Sequence, residues 1–219
     1  MEPNPNSGRA AGAPGLERWK KIALGAGLGL AMVIIAFTFY VGLNPQQPAS
    51  AGQDSERALG PTNAPVIIVE YGDFGCSTCR AWEKQKVMPQ IIAHYGDKIR
   101  FVWRDLPIIT DQSPKAAEAA FCAFDQDKFW QYHDLLYQKA PALAINDLKQ
   151  YAVQIGLDAG KFNACLDSGQ HKAQVDATLQ DGLKRGFRAT PAFLINGKPL
   201  LGPPSYDDLA KIIDADLNN

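Results

Sequence analysis

Charge imbalance, histidine and cysteine are all scarce in this chain. Its 219 residues carry a formal net charge of −1, and no basic stretch is interleaved with aromatic side chains. That argues against a nucleic-acid partner, which needs a phosphate-neutralising surface. There is no glycine-rich phosphate loop, nucleotide motif, Ser/His/Asp arrangement or internal repeat, so neither nucleotide chemistry nor serine hydrolysis is expected. The three histidines, His94, His133 and His171, stand apart and form no ligand cluster. Of the four cysteines, Cys122 and Cys165 stand alone. Neither a metal nor a cofactor is therefore expected.

What is present is one pair of cysteines in a telling context. Val66-Ile67-Ile68-Val69-Glu70-Tyr71 is a continuous apolar run of the kind found in a strand buried on both faces. Phe74-Gly75-Cys76-Ser77-Thr78-Cys79 follows, and from Arg80 to His94 the residues Trp82, Val87, Met88, Ile91 and Ile92 recur at helical spacing. Cys76 thus falls where a buried strand turns into a helix, with Cys79 one turn on along the same face. The unpaired N–H groups of a helix start favour a thiolate, lowering its pKa. Strand, C-x-x-C and helix together read as a redox motif. C-x-x-C is also half of a structural zinc site, but two further ligands at close spacing are missing. A purely structural disulfide across two residues would restrain little of the unfolded chain.

The first 21 residues are rich in Pro, Gly, Ala and Asn and are expected to be a disordered tail. From Ile22 to Leu43 no residue is charged, a stretch long enough to cross a bilayer as a helix. Arg18, Lys20 and Lys21 precede it, and the next basic residue is Arg57. The positive-inside rule places the N-terminus in the cytoplasm and the remainder outside. A cleaved signal peptide ending at Ala49-Ser50-Ala51 is the alternative, although its apolar region would exceed the usual span of about 7–15 residues. Either way the domain is exported, and an even cysteine count suits an oxidising compartment. Residues 44–60, with Pro45, Pro48, Ser50 and Gly52, read as a flexible tether. Residues 61–219 are the size of one domain.

Within that domain the strand, the helix after Cys79, a stop at Gly96 and a second strand over Ile99 to Arg104 make a parallel β-α-β unit. Residues from about 113 to 188 turn helical. Ser113-Pro114 reads as an N-cap with proline in the first turn, Asp127 to Lys139 is a helix with a bulky apolar face, and Asn146-Asp147 caps a third. Shorter helices are expected around Ala159–Leu166 and His171–Arg185. Ala192-Phe193-Leu194-Ile195, Asn196-Gly197 and Lys198-Pro199-Leu200 read as a hairpin, and Tyr206 to Leu217 as a closing amphipathic helix.

Phe74 to Cys79, Phe129-Trp130-Gln131-Tyr132-His133-Asp134-Leu135-Leu136 and Arg188-Ala189-Thr190-Pro191-Ala192-Phe193 together resemble the DsbA-like branch of the thioredoxin superfamily. The resemblance spans essentially the whole exported domain, with its landmarks in order. It implies an α/β thioredoxin fold carrying a helical insert. Cys76 would be the attacking nucleophile and Cys79 the resolving thiol. The proline of Thr190-Pro191, by itself only a strand opener, would be cis and lie beside the dithiol, leaving the Thr190 backbone to pair with an extended substrate segment. Glu70 reads by itself as an exposed edge residue, whereas the resemblance implies a buried acid relaying protons to Cys79. The strongest oxidants of the family often carry Pro-His between the cysteines, where this chain has Ser77-Thr78. A Cys76 pKa of about 5 would raise the potential by about 60 mV at neutral pH. His133, in an aromatic stretch, reads as a core residue.

Cys122 and Cys165 fall in two insert helices and are expected to pair as a structural disulfide, two buried free thiols being the alternative. The reading that follows is a protein-disulfide oxidoreductase donating disulfides to the thiols of exported proteins, held on the bacterial cytoplasmic membrane by a single pass with its catalytic domain in the periplasm or at the cell exterior. A quinone-linked membrane protein of the DsbB or VKOR type is the implied reoxidant. The short tether leaves no room for the dimerisation domain of isomerases, so a monomer is expected. A reductase or isomerase of the same fold is the alternative, and a non-catalytic binding module a more remote one.

Overall fold

The computed structural model describes residues 57–218. The tail, the apolar segment Ile22–Leu43 and the tether up to residue 56 lie outside the described residues. Among those described, no helix is long and apolar enough to cross a membrane.

The expected first strand forms as β2 (Val66–Gly72), with β3 (Ile99–Asp105) parallel to it and β4 (Ala192–Ile195) antiparallel on its other side. β5 (Lys198–Leu201) closes one edge. The Asn196-Gly197 hairpin turn has φ of 47° and 79°, the double positive-φ geometry that this dipeptide tolerates. The other edge differs from expectation. Ala58–Leu59, placed in the tether by composition, forms a short β1 paired antiparallel to β3, so the sheet runs β1-β3-β2-β4-β5. What anchors this strand is a tertiary ion pair: Arg57 meets Asp105 at 2.5 Å, both side chains buried. Its guanidinium also lies 3.8 Å from the centroid of the Phe121 ring.

β2 is less uniformly buried than its composition implies, since Ile67 is 39% exposed. Val66 and Ile68, alternating onto one face, join Trp82, Ile91, Phe193 and Ile213 in one apolar cluster. On the other face Tyr71 packs with Leu106, Phe187 and Leu194. Gly72 ends the strand, and a Cβ there would sit 2.2 Å from the Trp103 ring.

The helix after the dithiol is two helices, α1 (Ser77–Lys84) and α2 (Val87–Tyr95), rather than the continuous one expected. Pro89 explains the break. In an unbroken helix its ring would strike the Gln85 carbonyl. The chain instead turns through Lys86, at φ 53°, and restarts with Pro89 in the first turn, where its missing N–H is no loss. The insert comprises α3 (Ser113–Phe124), α4 (Phe129–Lys139), α5 (Ile145–Gln154), α6 (Ala159–Ser168) and α7 (Lys172–Lys184). Two expected caps are displaced. Gln112, not Ser113, precedes α3, and Ala144 precedes α5. Ser113 Oγ is occupied instead by the Thr110 N–H at 3.1 Å. α8 (Tyr206–Leu217) begins with a Ser205/Asp208 capping box and packs Leu209 and Ile213 against the sheet.

Candidate active site

Cys76 is the N-cap of α1, with extended φ and ψ of −78° and 120°, and its Sγ accepts the Cys79 backbone N–H at 3.2 Å. The loop delivering it is built on Asp73, whose carboxylate accepts N–H groups from Gly75 (2.7 Å), Ile108 and Ile109 (both 2.8 Å). The Cys76 N–H donates to the Asp73 carbonyl, and the buried Tyr137 hydroxyl donates to the same oxygen at 3.2 Å. Asp73 is a positioning residue that the sequence did not single out. Its signal was available: an acid ending an apolar strand before a tight turn, with short side-chain bonds to nearby backbone. α1 is held down by Trp82 Nε1, donating to the Pro204 carbonyl at 2.7 Å.

Both thiols are free, Cys76 at 5% exposure and Cys79 at 0%. The Cys76 thiol donates to the Thr190 carbonyl at 3.3 Å, and the Thr190-Pro191 bond is cis. The chain thus brings residues more than a hundred positions apart against one sulfur. The Cys76 pKa falls to about 6, first because the Cys79 thiol donates to it. The Thr190 side chain and the N–H groups of Cys79 and Thr78 add to this, against the cost of burial. Cys79 moves the other way. Burial pushes its thiol far up, reinforced by its bond to Cys76 and by the charge of Glu70. One turn of helix therefore holds a stabilised thiolate and a thiol that resists ionisation.

Glu70 is fully buried, not an exposed edge residue. It stands between Trp103 of β3 and Phe193 of β4 in the sheet register. Neither carboxyl oxygen has a hydrogen-bond partner, and burial, with the charges of Glu83 and Cys76, raises its pKa well above the ordinary value. Glu83, raised chiefly by burial, lines a groove of about 600 Å³ beside α1 together with Arg80, Lys84, Lys86, Asp134 and Tyr137. His133 is buried as expected. Its ring lies 4.6 Å from that of Trp103 and 5.6 Å from that of Phe74, and Nδ1 lies 3.0 Å from Asp134 Oδ1. Phe129 is buried and Trp130 partly so.

Cys122 on α3 and Cys165 on α6 are joined in a disulfide. The expectation that no histidine clusters with cysteine needs correction. The sulfurs of Cys122 and Cys165 and an imidazole nitrogen of His171 lie within 4.8 Å of one another. The packing of α6 against α3 makes this cluster, which no local spacing announces.

Comparison with known proteins agrees with this geometry. The family model described as "Thioredoxin" matches residues 53–215. The chain is 36% identical over 156 residues to the "Na(+)/H(+) antiporter NhaA" of Herminiimonas arsenicoxydans, the match covering 69% of this chain but 24% of that protein. The chain therefore spans about a quarter of the length of such relatives. It is 28% identical over 215 residues to the "Probable disulfide bond formation protein D" of Bacillus anthracis, covering 90% and 97% of the two chains. Among solved structures, oxidised BdbD from Bacillus subtilis superposes with a TM-score of 0.68 at 24% identity, covering 75% of this chain and 94% of that one. The thiol-disulfide exchange protein α-DsbA2 from Wolbachia pipientis does so with 0.66 at 24% identity, covering 74% and 88%. With the family model matched across residues 53–215, the chain belongs to the thioredoxin family, and its fold, helical insert included, is similar to that of those solved structures.

Proposed function

We propose that this protein-disulfide oxidoreductase acts as an exported, membrane-anchored oxidase that donates disulfides to newly exported proteins. The observation that carries the direction is the divergence of the two thiols, with the Cys76 pKa lowered to about 6 beside a buried Cys79. In the oxidised enzyme a substrate thiolate attacks Cys76 Sγ and the Cys76–Cys79 bond breaks. Cys79 leaves with the electron pair and must be protonated. Glu70, buried and kept in its acid form by that burial, is the proton donor. The substrate's second thiolate then attacks its own sulfur in the mixed disulfide and displaces Cys76, whose low pKa makes it a good leaving group. The substrate has lost two electrons and the enzyme holds them as the dithiol.

Thr190 stands at the edge of this reaction centre, its carbonyl already on Cys76, and would align an extended substrate segment there. Reoxidation falls to a quinone-linked membrane protein of the DsbB or VKOR type, with the enzyme working as a monomer. Export and anchoring rest on the uncharged stretch Ile22–Leu43 behind Arg18, Lys20 and Lys21. The Bacillus anthracis relative, matched over nearly its whole length, is named for disulfide bond formation, which favours oxidation over reduction. The decisive experiment is the reduction potential of the Cys76–Cys79 couple, measured with the relative stabilities of the two redox forms. A reduced form more stable than the oxidised one is expected. The reverse order turns the assignment to a reductase. Membrane association that survives a carbonate wash is expected for the full chain, whereas a soluble mature form beginning at Gly52 would establish cleavage of a signal peptide.

A further inference from the structure

Away from the dithiol, the insert holds a second set of polar groups for which the redox reaction has no use. His171 leads into α7 and is 7% exposed. Its ring stacks on Phe121 at 5.2 Å and 18°. Its Nε2 lies 2.7 Å from Asp125 Oδ2, and Gln170 Nε2 donates to the same carboxylate oxygen at 3.1 Å. With Nε2–H donated to the carboxylate, Nδ1 is the nitrogen with the free lone pair. That Nδ1 is buried and has no hydrogen-bond partner. A buried acceptor without a donor is expensive and rare, so its placement asks for a ligand. An imidazole nitrogen and the sulfurs of Cys122 and Cys165 lie within 4.8 Å of one another.

We propose that reduction of the Cys122–Cys165 disulfide creates a zinc-class metal site, with both thiolates and His171 Nδ1 as ligands and Asp125 orienting the imidazole. The ligand set, two cysteines and one histidine, suits a borderline-soft d¹⁰ cation. Two thiolates on one tetrahedral ion stand about 3.8 Å apart, given Zn–S bonds of about 2.3 Å. The helices that carry them hold the Cα atoms at 5.9 Å, so side-chain rotation alone opens that gap. The Asp125–His171 contact is the carboxylate–histidine arrangement that fixes tautomer and ring orientation at metal sites. Three protein ligands leave a fourth position for water, at the side where Cys165 retains 7% exposure and Cys122 only 1%.

A dithiol reductant attacks Cys165 Sγ and Cys122 leaves as the thiolate. The reductant's second thiol resolves the mixed disulfide, so the reductant ends as its own disulfide and this protein as two thiols. Cation binding then releases the thiol protons, and the imidazole contributes a lone pair with no change of charge. Intact, the disulfide offers no thiolate and the site is closed. The pair would thus report a failure of the oxidising compartment as metal uptake.

The test uses the full-length chain in detergent as the Cys76→Ser/Cys79→Ser variant, which removes the active-site thiols from competition. It is reduced with a phosphine, freed of reductant, and titrated with Zn²⁺ and with Co²⁺ as a spectroscopic probe. One ion per reduced chain, a sulfur-to-cobalt charge-transfer band and a tetrahedral visible spectrum are expected, with no uptake by the oxidised chain. His171→Ala should weaken Zn²⁺ binding by more than about a hundredfold, and Asp125→Asn by about 10–100-fold. Far-ultraviolet dichroism of each reduced form accompanies the titration. A reduced chain that takes no metal overturns the proposal. So does one whose affinity is indifferent to His171→Ala and Asp125→Asn, because that is how an unfolded chain binding through its thiols alone would behave.

Discussion

The Cys79 backbone N–H reaches Cys76 Sγ at 3.2 Å, while the Cys79 side chain lies beneath it with no exposure to solvent. The same turn of α1 therefore stabilises negative charge on one sulfur and opposes it on the other. Position alone separates the two sulfurs, since the residues are chemically identical, and it suits Cys76 and Cys79 to the leaving-group and resolving roles proposed for them.

The first consequence is a pH signature. The folded pKa of Cys76 is depressed from 9.0 to about 6. The stability this gives the reduced form is complete above the unfolded value and is lost as pH falls through the folded one. At pH 7 only about one unit is in play, or about 1.4 kcal/mol, which raises the potential by about 30 mV. That is half of what a pKa of 5 would give. Alkylation of the reduced protein should follow a single titration near 6, with Cys79 silent until the chain unfolds. Titration near the unfolded value would remove the basis for the oxidase reading.

Glu70 should behave as a group whose folded pKa is raised. Stability that depends on its acid form is intact below the ordinary value of 4.5 and drains as pH climbs toward the folded pKa. In the Cys76→Ser/Cys79→Ser background, Glu70→Gln should therefore be little different at pH 4. Its advantage should grow with pH, at a slope of at most about 1.4 kcal/mol per unit. In the otherwise native protein the proposed donor role predicts that the same substitution slows mixed-disulfide formation several-fold. Urea midpoints across pH and stopped-flow quenching measure the two effects. A flat stability difference would show that the carboxyl is not held in its acid form.

Loss of the insert disulfide has a calculable ceiling. Cys122 and Cys165 are separated by 43 positions, and the loop-entropy relation assigns a closure of this length about 4 kcal/mol. Cys122→Ala/Cys165→Ala should be destabilised by up to that amount in denaturant titrations. Redox kinetics at Cys76 should be little altered. No measurable loss would mean that the denatured chain keeps α3 and α6 together.

The edge strand rests on Arg57. Burial lowers its pKa, opposed by the partnership with Asp105, while Asp105 Oδ1 also accepts the Trp103 indole N–H at 3.0 Å. Arg57→Ala leaves Asp105 Oδ2 as an uncompensated buried charge and should cost about 3–5 kcal/mol. Arg57→Met/Asp105→Leu should recover much of this. If the double variant is as unstable as the single one, the guanidinium stacked on Phe121 is what matters, not the ion pair.

Local chemistry determined much of this protein without help from tertiary structure. The apolar run 66–71, the C-x-x-C at its end, Asn196-Gly197 and the helical spacing of the insert each act over a few neighbouring residues, and each formed the expected element. Even the break between α1 and α2 was written in Pro89, a residue whose clash with a carbonyl four positions back is purely local. Other features had no local signature. Ala58–Leu59 pairs with β3 beside tertiary contacts of Arg57, with Asp105 and with Phe121, that no local spacing announces. Glu70 was ambiguous until β3 and β4 closed over it and turned an edge carboxyl into a buried acid. The Thr190 carbonyl on Cys76, and His171 beside the Cys122–Cys165 disulfide, join groups from distant parts of the chain. Residue types and spacings carry periodicity and turn geometry, which depend on near neighbours. Burial, pKa and the meeting of remote side chains depend on which elements pack together, and only the folded chain decides that.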